Sequence, residues 1–462
     1  MAKQAILLQA LHVKTEVSQP STRSHPQTPL LPQPSSKKPS PIPWRQIYLL
    51  LILQLAEPLT SQFVRHTGIT NGDESRVGYY VGVMQSVFFA TQALTVLHWS
   101  RISDVIGRKP VVLTGLVGLS LSMYCFGLST TYWGAVFSRS LNGALNGNIG
   151  VMKSMLAEIT DSSNLAQVYG FLPIAWSTGG TLGPIIGGTL AHPAERFPNL
   201  FGNSEFLKTY PYFLPCAVPA TFSAVAWFIT FTHLKETVAS PTPIGHFFSS
   251  KRTRDVLDAA GSHAEISDAE KPVPMRALLV PRVLVAAGNY ASLSLVDIAY
   301  RAVQPLFFST PVELGGLGLS PPTIGLILSA FGIINGIFQV FFFARIHDHW
   351  GTKNVFIAGI SSCIPVFALF PVMNFLAREQ GIGHAVWAIV ALQIVISLGI
   401  SLCYGCVFIY IAASAPNKAS LGATNGLAQM LVSVTRTFGP AAANSLFSLS
   451  IKHQYMHGNM VY

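Results

Sequence analysis

The stretch WSRISDVIGRKP at residues 99–110 lies between two long apolar segments, and the stretch ARIHDHWGTKNV at residues 344–355 lies between two more. Both contain the arrangement Arg-x-x-Asp-x-x-Gly-x-Lys, which comprises Arg101, Asp104, Gly107 and Lys109 in the first copy and Arg345, Asp348, Gly351 and Lys353 in the second. A charged loop that recurs at matched places indicates a membrane protein built from one unit used twice. Such duplicated halves place a binding site at the interface between them.

The composition is typical of a chain made mainly of membrane-spanning helices. Half of the 462 residues are hydrophobic and 10% are charged, whereas about a quarter of the residues in soluble domains are charged. A helix needs roughly 20 mainly apolar residues to span a bilayer. We predict an all-α polytopic protein of eleven spans, at residues 46–64, 77–98, 110–129, 131–157, 166–191, 211–233, 283–309, 322–345, 354–376, 384–413 and 421–450.

The span pattern also predicts the domain organisation. We expect a disordered cytoplasmic tail at 1–44, an N-terminal six-helix half at 45–233, a cytoplasmic linker at 234–282 and a C-terminal half of five spans at 283–462. The pair Gly439-Pro440 matches Gly183-Pro184 of the first half, but too few residues follow it for another span. The twelfth helix of a symmetric arrangement is therefore expected to be missing.

The formal net charge is +10. The basic residues are dispersed over loops and form no long tract, so we expect no nucleic-acid partner. They concentrate in alternate loops, which the positive-inside rule assigns to the cytoplasm together with the N-terminus. No address motif separates the plasma membrane from the vacuolar membrane.

The first loop resembles the cytoplasmic loop motif of the major facilitator superfamily, G-R-x-x-D-x-x-G-R-K, with Ser100 in place of its first glycine. This resemblance implies a fold of two six-helix halves, in which the loop stabilises one of two alternating conformations. By analogy, Asp104, Arg101 and Arg108 would be gating residues and not substrate ligands. The second copy matches less well, since Thr352 stands in place of an arginine.

In the fourth predicted span, Arg139, Gly143 and Gly147 follow one another at a spacing of four and share one helical face. Glycines allow close helix packing. The span is also unusually polar, because it contains Asn142, Asn146, Asn148 and Lys153. An arginine is costly in hydrocarbon and should face a cavity or a carboxylate. Residues 142–151 resemble the family's fourth-span motif, whose arginine is implicated in proton coupling. A purely structural role for Arg139 stays open.

The fifth predicted span carries small residues and a proline that should bend the helix. This pattern resembles the motif of drug:proton antiporters in the superfamily, and it comprises Gly170, Gly179, Gly183, Pro184, Gly187 and Gly188. The resemblance implies that the bent helix seals one side of the pathway and favours exchange over uniport.

Ionisable residues within spans are functional candidates by default. Glu57 lies in the first span and Asp297 in the seventh, two symmetry-related positions. Either carboxylate is a candidate for proton coupling, with Arg301 and Arg436 as further candidates for the cavity wall. A structural pair between Asp297 and Arg301, four residues on, is the alternative.

The chain resembles fungal members of the tetracycline-resistance-type and zinc-induced-facilitator-like branch, on stretches such as 54–58, 142–151 and 158–161. We predict a proton-coupled antiporter that exports a small molecule, with the proton gradient as energy source and no cofactor. No catalytic or metal-binding constellation is evident, so an enzyme is not expected. The expected partners are the bilayer, the substrate and protons, and the expected state is a monomer. A truncated non-transporting isoform, a gene-model fragment and a facilitated-diffusion uniporter are the alternatives.

Overall fold

A computed structural model describes residues 74–161, 164–172, 186–187, 189–238, 241 and 272–453. Within these ranges every regular element is helical, which confirms the predicted all-α class. The predicted tail at 1–44, the first span at 46–64 and most of the linker lie outside the described residues.

The helices of the first half are α1 (Glu74–Ile106), α2 (Arg108–Gly127), α3 (Tyr132–Leu145), α4 (Asn148–Ile159) and α5 (Phe213–His233). Residues 165–172 are also helical, and three short helices precede α5, at Pro193–Arg196, Pro198–Phe201 and Glu205–Thr209. The second half contains α6 (Pro281–Ser309), α7 (Pro321–Phe338), α8 (Ala344–Ser361), α9 (Cys363–Gln380), α10 (His384–Ser414) and α11 (Leu421–His453). A π-helical turn, Gln339–Phe343, joins α7 to α8.

Six helical stretches in the described part of the chain are long and apolar enough to cross a bilayer, namely Tyr80–Ile106, Arg108–Gly127, Phe213–His233, Pro281–Ser309, Pro322–Gln380 and His384–Ser414. The stretch of 59 residues contains most of α7 and all of α8 and α9. Large apolar side chains such as Leu94, Trp133, Leu326 and Ile364 point outward and are at least 68% exposed. A surface of this kind is suited to lipid and not to water. The count of eleven spans stays a prediction.

The repeated loop is largely helical, contrary to the expectation that the span ends near residue 98. Helix α1 continues through Arg101 and Asp104 to Ile106. It ends at Gly107, whose φ of 106° lies in the region that favours glycine. In the second copy Gly351, with a φ of 75°, interrupts α8 at the equivalent position. Since no helix breaker precedes the glycine in either copy, the helix runs on to it.

The fourth predicted span is two helices, because α3 ends at Leu145 and α4 begins at Asn148. Asparagine and glycine, which stand at 146 and 147, are among the weaker helix formers. The break frees the carbonyl of Ala144 from helical pairing, and the indole Nε1 of Trp99 donates to it at 2.8 Å. The freed carbonyl thus keeps a hydrogen bond, as a backbone group in an apolar environment must.

The two halves meet mainly where α11 packs against α1 and α4. Ser433 donates to Gln92 at 2.9 Å across this interface. Further along it, Ser100 lies between Gly150 and Gly426, where any larger side chain on either glycine would collide with the Ser100 hydroxyl. Small residues permit this close approach between helices.

Candidate functional site

A cavity of about 440 Å³ lies between the two halves. Its wall is formed by α1 to α4 on one side and by α6 and α11 on the other. An adjoining pocket of about 70 Å³ extends toward α10 and shares several lining residues with it. Of the five residues predicted for proton coupling or the cavity wall, four line the larger cavity, namely Arg139, Asp297, Arg301 and Arg436. Glu57 lies outside the described residues.

Asp297 forms an ion pair and also faces the cavity. Its carboxylate accepts hydrogen bonds from Nε of Arg301 at 2.9 and 3.0 Å, and from the Tyr404 hydroxyl of α10 at 2.8 Å. The Arg301 side chain is 41% exposed and the Asp297 side chain 12%. The structural pair and the cavity position, two alternatives at the level of sequence, therefore occur together.

The other two arginines lie against aromatic rings. The Arg139 guanidinium of α3 lies 5.3 Å from the centre of the Phe88 ring. The Arg436 guanidinium of α11 lies 5.9 Å from the Phe89 ring, and its Nε donates to the Ser294 hydroxyl at 3.1 Å. Stacking of this kind stabilises a cation in a site with little water.

Lys153, one of the polar residues of the fourth predicted span, was not predicted to be part of the site. It lies on α4, is 5% exposed, and lines the smaller pocket. Its Nζ donates to the Tyr290 hydroxyl at 2.9 Å and to Oε1 of Gln429 at 3.0 Å. It also lies 4.6 Å and 4.3 Å from the ring centres of Tyr290 and Phe408. The sequence contained a signal for this lysine, because it is a charged residue within a predicted span.

In the fourth predicted span, the asparagines line the cavity and the glycines pack against α1. Asn142 and Asn146 line the larger cavity. Gly143 packs against the carbonyl of Phe88, and Gly147 packs against the side chain of Trp99, so that a larger residue at either position would collide with α1. The glycines thus bring α3 against α1, and the asparagines face the cavity.

The first repeated loop connects the two halves through Asp104. Its carboxylate accepts hydrogen bonds from the backbone N–H groups of Gly422 at 2.9 Å and Ala423 at 2.7 Å, at the N-terminus of α11. A helix N-terminus carries a partial positive charge and exposed N–H donors, which favour a carboxylate. Arg108 forms an ion pair with Asp104 at 2.5 Å and another with Glu158 at 2.8 Å. We call Asp104, Arg108 and the N-terminus of α11 the clamp.

A second carboxylate binds the N-terminus of α2. Glu236, which follows α5, accepts hydrogen bonds from the backbone N–H groups of Arg108 at 2.9 Å and Lys109 at 3.0 Å. A side chain at Gly107 would occupy the place of this carboxylate. Arg101 is exposed. Glu158 and Glu236 were not predicted as part of the site, because nothing local in the sequence relates them to the loop.

The second copy of the loop makes no equivalent clamp in the described residues. The Asp348 side chain is 74% exposed and lies 3.1 Å from Nδ1 of His347, whose Nε2 lies 2.9 Å from the Thr352 hydroxyl. Arg345 and Lys353 are exposed. The two copies thus share a backbone pattern and differ in their contacts.

The predicted antiporter motif is only partly described. Gly170 packs against the ring of Phe343 from the second half, at a spacing that a larger residue would disturb. Gly187 is helical and buried. Gly179, Gly183, Pro184 and Gly188 lie outside the described residues.

A cavity between two helical halves, lined by ionisable side chains and bounded by a charged clamp, defines a membrane transport protein. The chain belongs to the Major Facilitator Superfamily, whose family model matches residues 58–440. It is therefore an integral membrane transporter and not an enzyme.

Individual relatives confirm the predicted family. The chain is 29% identical to the major facilitator-type transporter psiT2 of Psilocybe cyanescens, over 91% of this chain and 87% of the relative. It is also 29% identical to the protein ZINC INDUCED FACILITATOR-LIKE 1 of Arabidopsis thaliana, over 88% and 84%. Its fold is similar to that of the proton:xylose symporter XylE, with a TM-score of 0.64 at 14% identity over 91% of this chain and 92% of that one.

Proposed function

We propose that the chain is a proton-coupled antiporter that exports a small molecule by alternating access of the central cavity. The observation that carries this proposal is the position of Asp297. This carboxylate faces the cavity and has two partners, Arg301 on its own helix α6 and Tyr404 on α10. Carboxylates inside membrane proteins mark proton and substrate pathways.

Protonation of Asp297 would change the contacts between α6 and α10. The ionised carboxylate binds Arg301 through two hydrogen bonds and accepts a third from Tyr404. A proton on Asp297 removes its charge, and with it the ion pair that fixes Arg301 in the wall of the cavity. Proton binding and the shape of the cavity are thus linked through one side chain.

The clamp supplies the second element of the cycle. Asp104 holds the first half to the N-terminus of α11 in the second half. The cavity cannot open widely on the clamp side until these hydrogen bonds break. The positive-inside rule favours a cytoplasmic position for the basic residues of the loop. With that orientation, this conformation is the one closed to the cytoplasm. The plasma membrane and the vacuolar membrane both fit this orientation.

The experiment uses purified full-length chain in liposomes with a panel of fluorescent dyes carrying charges of −1, 0 and +1. With an acidic interior, outward proton flow should drive accumulation of at least one dye, and a protonophore should abolish it. If a dye equilibrates across the membrane at a rate that depends on neither the pH gradient nor the protonophore, the chain is a uniporter instead. Asp297→Asn should lose gradient-driven accumulation and keep dye-for-dye exchange, and retention of both by this variant contradicts the role of Asp297.

A further inference from the structure

The charges within the membrane part of the site are mostly positive. Four basic side chains line the cavity and its adjoining pocket, namely Arg139, Lys153, Arg301 and Arg436, and among the described residues they face one carboxylate, that of Asp297. Charged groups are rare within spans because their desolvation is costly. Four of one sign around one cavity therefore call for an explanation in terms of what the cavity binds.

The predicted spans that lie partly or wholly outside the described ranges add few charges. The predicted first span, 46–64, contains one charged residue, Glu57, and residues 173–185 contain none. If Glu57 reaches the cavity, four basic groups face two carboxylates. Within the predicted spans, the basic side chains at the cavity therefore outnumber the carboxylates.

The single described carboxylate is already engaged. Asp297 binds Arg301 with two hydrogen bonds and also accepts one from Tyr404. Its negative charge is therefore directed at Arg301, on the side of the cavity where both residues lie.

Lys153 has only neutral partners in the described part of the chain. Its two hydrogen bonds go to a hydroxyl and an amide oxygen, and its ring contacts are with Tyr290 and Phe408. An ammonium group has three N–H donors, so one donor is left for a ligand in the pocket. A buried charge without a carboxylate partner is costly, and a bound anion would remove that cost.

We propose that the substrate is a small organic anion with an aromatic body, and that Lys153 and Arg436 bind its anionic group. Both residues line the smaller pocket. The rings of Tyr290, Tyr404 and Phe408 surround that pocket, and Phe88 and Phe89 line the larger cavity beyond it. A volume of about 440 Å³ lies within the usual range for small-molecule sites. This inference rests on the proposed transport function, whose substrate it specifies.

The test compares three probes of nearly the same shape that differ in charge. They are 1-naphthaleneacetate, its neutral amide, and 2-(1-naphthyl)ethylammonium, each titrated at pH 7.4 by calorimetry into the full-length chain in detergent. We expect the anion to bind about tenfold or more tightly than the amide, since a charge-assisted hydrogen bond contributes that much. The cation should bind more weakly than the amide.

Variants of Lys153 then test whether this residue causes the tighter binding of the anion. Lys153→Met should bring the affinity for the anion down to that for the amide, whereas Lys153→Arg should retain most of the preference. Lys208→Met is the matched control, because Lys208 is exposed on a short helix away from the cavity, and it should bind the anion as the unaltered chain does.

Two results overturn the proposal. One is the same affinity for all three probes, or none for any, in the unaltered chain, and this comparison does not require that a variant folds. The other is an unchanged preference for the anion in Lys153→Met. Because binding is measured without any gradient, either failure concerns the charge of the substrate, while proton-driven export is tested separately in liposomes.

Discussion

At the scale of the residue, Asp104 has the most consequential contacts in the described structure. Its side chain is buried, and it joins an arginine of its own half to two backbone N–H groups of the other half. Gly422 must be small, because a side chain there would collide with both Asp104 and Arg108. A nearby arginine and a helix N-terminus 318 residues away thus both bind one carboxylate.

We predict that Asp104→Asn weakens the closed conformation on the clamp side. The substitution keeps the size of the side chain and removes its charge, which costs about 1.5–3 kcal/mol for hydrogen bonds to a charged group. Spin labels at Lys235→Cys and Lys418→Cys, two exposed positions on this side, should report longer distances by pulsed electron resonance, in a background where the partly exposed Cys125 is replaced.

Asp348→Asn is the matched control for this measurement. It makes the same change at the equivalent position of the second loop, where the side chain is 74% exposed. We expect its distance distribution to match that of the unaltered chain. Equal distributions for both variants would contradict the role of Asp104 as part of the clamp.

At the scale of the element, the contact of α3 with α1 depends on glycine. A methyl group at Gly143 would collide with the Phe88 carbonyl and the Thr91 hydroxyl. A backbone carbonyl cannot rotate away as a side chain does, so the two helices must separate to accommodate any larger residue. The contact therefore has a steric cause that one substitution can test.

We predict that Gly143→Ala lowers the melting temperature of the chain in detergent by several degrees. Overpacking of this kind costs about 1–3 kcal/mol. Gly82→Ala on α1 is the control, because nothing lies within 4 Å of its added methyl group, and alanine favours a helix over glycine by about 1 kcal/mol. Its melting temperature should stay the same or rise, and an equal fall in both variants would show that packing is not the cause.

The elements were predictable to the extent that their causes are local. Apolar length predicted most helices, and the repeated glycines lie where α1 ends and where α8 is interrupted. The break between α3 and α4 was not predicted, because apolar length alone does not register the weak helix propensity of Asn146 and Gly147. Arg139 and Asp297 were found since a charge within a span is visible in the sequence.

The partners of these residues could not be predicted in the same way. The clamp joins Asp104 to Gly422, which lies 318 residues away in the chain. Glu236 reaches the start of α2 from beyond α5. Lys153 gains its significance from Tyr290, Phe408 and Gln429, which come from three helices of the other half. Contacts of this range follow from the packing of the halves, and no local pattern encodes them.

At the scale of the whole molecule, an anionic substrate constrains the coupling to protons. Opposite charges in one cavity attract each other, so a bound anion favours a proton on Asp297. Exchange therefore requires that the anion and the proton bind in different conformations of the two halves. The clamp can keep the two binding events apart, because its hydrogen bonds form in one conformation of the halves and break in the other. Exchange of the anion for a proton and transport of both in the same direction then differ in the net charge that crosses the membrane.

We predict that transport of 1-naphthaleneacetate in liposomes responds to membrane potential at constant pH. Exchange of one anion for one proton moves two charges in the same direction, and each charge contributes about 2.3 kcal/mol for every 100 mV. A potential that is positive inside, set by potassium and valinomycin, should speed accumulation of the anion at least tenfold relative to a negative one. The neutral amide moves one charge when it is exchanged for a proton, so its accumulation should respond less steeply than that of the anion. Protein-free liposomes measure passive leak. If the anion moves through the unaltered chain at a rate that ignores the potential, the proton travels with it, and the exchange scheme is wrong although the anion site is right.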